Sequence, residues 1–245
     1  MDTPRYILED YTRMGYWWPL VKDIAVPKPA TKIIPLTKDA SMAFVYYFDT
    51  DAKAKDELEK ALEVVRNEAK VFGFPVFMRT DLVSGKHDWE NSCFVASENN
   101  INRCIAGLAE SNSCAEVVPE AVVLREYIPL ECAFTAFFGN MPVAKERRYF
   151  VRNGKVQCHH PYWPEDAIVF FKDNEPNNWR EKLTELNKET DEEITLLTGY
   201  AEKLASVLND YWSLDFAKGK DGVWYFIDAA RGELSWHPKG GNQCE

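Results

Sequence analysis

Asp215 and Asp228 each interrupt an apolar run, in Ser213-Leu-Asp-Phe216 and Tyr225-Phe-Ile-Asp-Ala229. A carboxylate inside a strand is costly unless it is paired, hydrogen-bonded or bound to a metal. The Lys218-Gly-Lys-Asp-Gly222 stretch between the runs predicts a tight hairpin that brings both carboxylates to one side of a sheet. Two convergent carboxylates suit Mg²⁺, a hard cation that also takes phosphate oxygens. They equally suit strand-end residues held in hairpin and turn hydrogen bonds, and the pair alone leaves both readings open.

Arg79 closes another apolar run, Pro75-Val-Phe-Met-Arg79, where an unpaired cation would be expensive. The loop after it carries Thr80, Ser84, Gly85 and Lys86. Hydroxyls, backbone N–H groups and a flexible cation are the groups that hold a polyphosphate. The GxxxxGK[ST] string of a P-loop is absent. An arginine in a salt bridge followed by an ordinary polar turn fits the same residues.

In Lys145-Glu-Arg-Arg148, strand alternation puts Glu146 and Arg148 on one face, as an ion pair or as the lining of a polar cleft. His159 and His160 are adjacent on a strand and point to opposite faces, which argues against a shared metal ion. No Ser-His-Asp or Cys-His arrangement shows a local signature.

The elements that must position these groups follow from periodicity and turn chemistry. A strand is predicted over Met42–Phe48. A helix is predicted over Asp51–Phe72, with Leu58, Leu62, Val65, Ala69 and Phe72 on one face and Gly73 as its C-terminal cap. Strands follow at Pro75–Arg79 and Ser92–Ala96. Ser97 is expected to cap a helix with Ile101, Ile105 and Leu108 inward. The aromatic, proline-rich first 40 residues read as a short helix and an extended arm.

The second half is strand-rich: Ala121–Ile128, Cys132–Phe138, and Arg147–Val151 turning at Asn153-Gly154 into Lys155–Cys158. Pro161–Asn187 is less regular. Thr190 and Glu193 form a capping box ahead of a helix to Asn209, with Leu197, Tyr200, Ala201, Leu204 and Leu208 as its stripe. Two last strands are expected at Trp212–Ala217 and Val223–Asp228. Runs of strands with segregated helices indicate an α+β class.

Length and composition bound the rest. The 245 residues suit one large domain or two small lobes sharing a cleft. Hydrophobic residues at 46% and aromatics at 13% allow a substantial core. With 29 basic against 39 acidic residues the net charge is -10, which disfavours nucleic-acid backbone binding and leaves room for a local basic pocket. No apolar run is long enough for a membrane span, and the N-terminus lacks a signal-peptide layout. Six cysteines (93, 104, 114, 132, 158 and 244) show no CxxC pair, and read as reduced core thiols of a cytoplasmic protein.

The order of the clusters resembles the ATP-grasp family. Phe77-Met-Arg79-Thr-Asp-Leu-Val-Ser84-Gly-Lys86-His-Asp-Trp89 is similar to the strand and phosphate loop of the first ATP-grasp lobe. It looks closest to a subgroup of small ATP-grasp proteins. That subgroup includes the eukaryotic cell-division-cycle family that assists assembly of translation initiation factor 2, and related bacterial and phage clades. Val123-Leu-Arg125-Glu126-Tyr127-Ile128 resembles the hinge between lobes. Glu146-Arg-Arg148-Tyr-Phe-Val151 resembles the family's Glu-x-Arg strand. Leu214-Asp215-Phe216 and Phe226-Ile-Asp228 resemble its two metal-carboxylate strands.

The resemblance implies two lobes with mainly antiparallel sheets clasping a nucleotide cleft. Residues 1–40 would form an arm packed on the body, 41–120 the first lobe and 121–245 the second. It implies ATP and Mg²⁺ as cofactors. Arg79, Ser84 and Lys86 would contact phosphates, and Arg125 is a weaker candidate for the same work. The Glu126, Tyr127 and Ile128 backbone would meet the adenine edge, with Glu131 or Glu146 on the ribose. Asp215 and Asp228 would hold the metal, and Arg148 would bind the γ-phosphate or an acyl phosphate.

The implied reaction joins a carboxylate to an amine or similar nucleophile through an acyl phosphate, on an unidentified substrate, a protein among the candidates. The alternative is an ATP-binding assembly chaperone without turnover. Ala230 stands where the family usually has an Asn metal ligand, and about a dozen extra residues follow the hinge, Pro129–Val143. The aromatic arm and the Tyr162-Trp163 pair either line the acceptor pocket or belong to the core.

Overall fold

The computed structural model describes residues 10–172 and 175–238. Its elements are α1 (Met14–Val21), β1 (Thr31–Pro35), α2 (Lys38–Val45), α3 (Ala52–Phe72), β2 (Val76–Thr80), β3 (Phe94–Val95), α4 (Ile101–Cys114) and β4 (Ala121–Glu126). They continue with β5 (Cys132–Ala136), β6 (Met141–Ala144), β7 (Glu146–Arg152), β8 (Lys155–Pro161), α5 (Trp179–Leu186), α6 (Asp191–Ala205), β9 (Tyr211–Lys218) and β10 (Trp224–Arg231). All strand pairs described between these elements are antiparallel, the α+β architecture expected.

The chain divides into two compact units. The first comprises Pro29–Ile128 and Ala136–Met141. The second comprises the described residues of Met1–Lys28, Pro129–Thr135 and Pro142–Glu245. The sequence reading placed its lobe boundaries at 40/41 and 120/121.

In the first unit a four-stranded sheet of order β1-β4-β2-β3 is covered by helices. Leu58, Leu62, Val65 and Ala69 of α3 pack with Val76, Met78, Val122 and Leu124 of the sheet and with Ile101, Ile105 and Leu108 of α4. These apolar positions recur every three or four residues along α3, which is why that face is buried. Asp51 caps α3 by accepting from the Ala54 N–H at 2.8 Å. Gly73, at φ 81°, ends it.

The expected strand at Met42–Phe48 is instead α2, followed by a 3₁₀ turn over Tyr47–Asp49. Thr37 caps α2 by accepting from the Ala40 N–H at 3.2 Å, and Ala40, Ala43 and Phe44 form its buried stripe. Capping and the i, i+3, i+4 pattern override the β-propensity of the Phe-Val-Tyr-Tyr-Phe run. The arm also needs correcting: Thr31–Pro35 is a strand paired with β4, not a peripheral extension. Ser97 does not cap its helix; its hydroxyl donates to Asn100 Oδ1 at 2.6 Å.

In the second unit the sheet order is β10-β9-β7-β8. The capping box of Thr190 and Glu193 starts α6 as expected, and α6 packs against β7, β8 and β9. Trp17 of α1 is fully buried and meets Phe226 edge-on at 5.6 Å, so this part of the aromatic arm is core. The residues after the hinge-like strand form the β5–β6 hairpin. The irregular Pro161–Asn187 stretch contains a 3₁₀ turn at Glu165–Ala167 and α5.

Cys93 and Cys104 are buried free thiols, and burial pushes the Cys93 thiol up to about 12. Cys114 and Cys132 are exposed rather than core, Cys158 is disulfide-bonded, and Cys244 lies outside the described residues. Among the described residues no helix is long and apolar enough to cross a membrane.

Candidate functional site

The register of the second unit's sheet aligns four polar residues across four strands. Asp228 of β10 lies opposite Asp215 of β9, Asp215 opposite Arg148 of β7, and Arg148 opposite His160 of β8. Directly opposed residues in antiparallel strands share a face, so the four form one row. Asp228 reaches that row because the β10–β9 register shifts between Phe226 and Asp228. The extra residue, Ile227, is a β-bulge, which re-aims the side chains that follow it.

Arg148 grips Asp215 in a fork, Nε donating to Oδ1 and Nη2 to Oδ2, both at 2.8 Å. Such a bidentate pair is among the stronger charge-assisted contacts. Burial alone would weaken the Arg148 charge, but Asp215, supported by Tyr162 and Asp228, raises its affinity for the proton above the usual arginine range. The guanidinium also lies over the Tyr162 ring at 4.7 Å. Asp228 Oδ1 accepts the Ala229 N–H at 3.0 Å.

His160 Nδ1 is 2.7 Å from the Pro161 carbonyl, which can only accept, so Nδ1 carries the proton. Burial is the main cause holding the imidazole below its ordinary range. His159 points to the opposite face, where its Nδ1 is 3.3 Å from Glu189. The two histidines are divided as strand alternation requires.

That opposite face is structural. Arg147 is fully buried, its Nε 3.2 Å from Glu189 Oε1. It donates to the carbonyls of Glu146, Leu186 and Lys188 at 2.8, 3.1 and 2.7 Å, which ties the α5–α6 connection to β7.

The two glutamates considered for ribose differ in commitment. Glu146 is buried and accepts from Trp163 Nε1 at 3.0 Å. Glu131 is exposed, with Lys218 Nζ at 3.6 Å. Nearby, Glu193 Oε1 accepts from both Lys145 and Lys218, at 2.9 and 3.1 Å.

In the first unit, Arg79 is buried at the end of β2 and turns onto the following loop, its Nε donating to the Thr80 carbonyl at 3.0 Å and Nη2 to that of Leu82 at 3.3 Å. Thr80 and Val83 close the turn: Thr80 N–H donates to the Val83 carbonyl at 2.9 Å and Val83 N–H to Thr80 Oγ1 at 3.0 Å. Ser84 and Lys86 flank Gly85, which adopts φ 63°.

Two contacts sequence reasoning missed hold this loop. The Ser92 hydroxyl is 2.6 Å from the Gly85 carbonyl and 2.8 Å from that of Asp88. The 136–141 tip packs on it as well, with Phe137 stacked on His87 at 4.1 Å and Gly139 N–H donating to the His87 carbonyl at 3.1 Å. No local motif announces either contact.

Arg125 is buried and donates from Nε to Thr31 Oγ1 at 3.1 Å. Glu126 ends β4 and accepts the Ala30 N–H on its carboxylate at 3.1 Å. Tyr127 packs against Phe94 at 5.0 Å, and Ile128 is half-buried.

Among the described residues no group of three or more His, Cys, Asp and Glu side chains could hold a metal ion by itself. Asp215 and Asp228 nevertheless fit a hard cation that takes its remaining ligands from phosphate oxygens, the usual habit of Mg²⁺. Asp215 already spends one lone pair of each oxygen on Arg148. Asp228 is therefore the better placed of the two.

In fold, the chain is similar to Cdc123 from Schizosaccharomyces pombe, at 15% identity and TM-score 0.58 over 94% of this chain and 87% of that one. Its C-terminally truncated form matches at 14% identity and TM-score 0.59, with the same coverage. No curated protein sequence matches the chain closely enough to count as a relative. A family model of the ATP-grasp domain, the third family of its clade, matches residues 38–244, and the chain belongs to that ATP-grasp family.

Proposed function

We propose that this chain binds Mg-ATP and uses it to activate a carboxylate for attack by an amine or similar nucleophile. The observation that carries the reading is the Asp228–Asp215–Arg148 row in a chain of the ATP-grasp family. In the proposed reaction a substrate carboxylate oxygen attacks the γ-phosphorus and ADP leaves. The nucleophile then adds to the acyl carbon, the bond to the phosphate oxygen breaks, inorganic phosphate departs and the nucleophile loses its proton.

The protein contributes positioning and charge neutralisation rather than a covalent intermediate. Mg²⁺ held at Asp228 and Asp215 would neutralise charge on phosphate oxygens. Arg148, fixed by Asp215 and Tyr162, is assigned to the transferred phosphoryl group or the acyl phosphate. Ser84, Lys86 and the loop N–H groups are assigned to the ATP phosphates, with Arg125 as a weaker contact. Arg79 serves them directly or by holding the loop. The adenine edge is assigned to the Glu126–Ile128 backbone. Glu131 suits the ribose hydroxyls better than Glu146, whose Oε1 is committed to Trp163.

A coupled assay tests this. ADP and phosphate should appear only when Mg-ATP is combined with both an acid and an amine from a mixed panel. Stable ATP binding without turnover on any pair would contradict the ligase reading and favour an ATP-dependent assembly factor.

A further inference from the structure

Beside Arg148 the second unit has a pocket of about 310 Å³, lined by Arg148, Tyr162, Pro164, Asp166, Ala167 and Trp236 among others. Its volume suits a ligand of roughly amino-acid size. Two features describe what would fill it.

The first is a donor. Arg148 gives Nε and Nη2 to Asp215, and its Nη1 makes no hydrogen bond among the described residues. A guanidinium has five N–H groups, and a sheltered donor without an acceptor is unfavourable. A carboxylate oxygen is the strong acceptor that matches it. His160, kept neutral by burial, adds no second cation here.

The second is the wall. The Tyr162 ring is already oriented by its contact with Arg148. Trp236 meets the His160 ring edge-on at 5.5 Å and keeps 44% of its surface exposed. Pro164 and Ala167 add apolar surface. Aromatic walls favour flat apolar groups, through area and ring geometry. Asp166, exposed at this pocket, would repel a second carboxylate.

We propose that this pocket is the acceptor subsite, taking a monocarboxylic acid whose carboxylate meets Arg148 Nη1 and whose aromatic or bulky apolar body packs on Tyr162 and Trp236. Trp236 is then a specificity-determining residue. The catalytic meaning of the subsite rests on the ligase reading, but binding of the acid alone does not.

Calorimetric titration of the full chain with phenylacetate, acetate and phenylacetamide tests it. Phenylacetate should bind at least about tenfold more tightly than acetate or the uncharged amide. Trp236→Ala, at a half-exposed position, should weaken phenylacetate about fivefold and leave acetate unchanged. Equal affinity for acid and amide, unchanged phenylacetate binding in Trp236→Ala, or no binding of any probe would overturn the proposal. A separate thermal-shift measurement with Mg-ATP reports on the nucleotide reading: phenylacetate binding without an ATP shift would sink that reading and leave the subsite standing.

Discussion

Asp228 stands opposite Asp215 because β10 accommodates one extra residue, Ile227, between the Phe226–Phe216 and Asp228–Asp215 pairs. In an unbroken ladder Ile227 would face Asp215, and Asp228 would turn to the face that carries Phe216 and Phe226. The bulge converts two carboxylates on neighbouring strands into a pair.

The two carboxylates should therefore respond differently to substitution. Asp228→Asn should keep the fold and weaken magnesium-dependent ATP binding by about tenfold or more, read by calorimetry. Asp215→Ala strands the Arg148 guanidinium and should lower stability by about 3 kcal/mol, read by urea unfolding. Equal stability of the two variants would contradict the ion-pair role given to Asp215.

Gly139 tests the support of the candidate phosphate loop. A Cβ there would meet the Trp89 nitrogen at 2.0 Å and the Asp88 carbonyl carbon at 2.3 Å, both backbone atoms. Gly139→Ala should cost about 1–3 kcal/mol through overpacking, and should weaken ATP binding with it. Wild-type stability in this variant would mean the tip does not pack on the loop as described.

Ser92→Ala removes a hydroxyl that serves the carbonyls of Gly85 and Asp88. Loss of these bonds should cost about 1–2 kcal/mol. Hydrogen exchange of the loop amides should speed up while that of α3 stays unchanged. Uniform change across both segments would indicate a global effect instead.

Acid should unfold the second unit partly through Glu189. Burial works to raise its pKa, but His159 and Arg147 overcome it and hold the carboxyl below its ordinary value of 4.5. A depressed folded-state value gives stability that is present above the unfolded-state pKa and is lost as pH falls through the folded one. Wild type should lose stability on going from about pH 5 to about pH 3, measured by denaturant titration at each pH. Glu189→Gln should start less stable and lose less over the same window. A parallel loss in both proteins would remove Glu189 from the acid response.

What was legible in the sequence was local. The α3 stripe, its Gly73 cap, the Thr190–Glu193 capping box and the Asn153-Gly154 turn each lie within a few residues and set their own geometry. The order of motifs along the chain was enough to point to the family. Met42–Phe48 misled because a run of aromatic and β-branched residues outweighed the Thr37 cap and the alanine stripe, which decide for a helix once Phe44 has a core to enter.

The site itself depends on partners distant in sequence. Arg148 and Asp215 are 67 residues apart. No periodicity shows that one forks the other, or that Trp236 lines a pocket with Tyr162. The bulge at Ile227 is equally silent, since Tyr-Phe-Ile-Asp reads as plain alternation until it is paired. Strand alternation did separate His159 from His160 correctly, because that rule needs no partner.

The central claim is nucleotide binding at the carboxylate row, and calorimetric titration of Mg-ATP into wild type and Asp228→Asn tests it most directly. The account predicts binding by wild type that depends on magnesium and is at least about tenfold weaker in the variant. Absence of binding by wild type, or equal affinity in both proteins with and without magnesium, would contradict it.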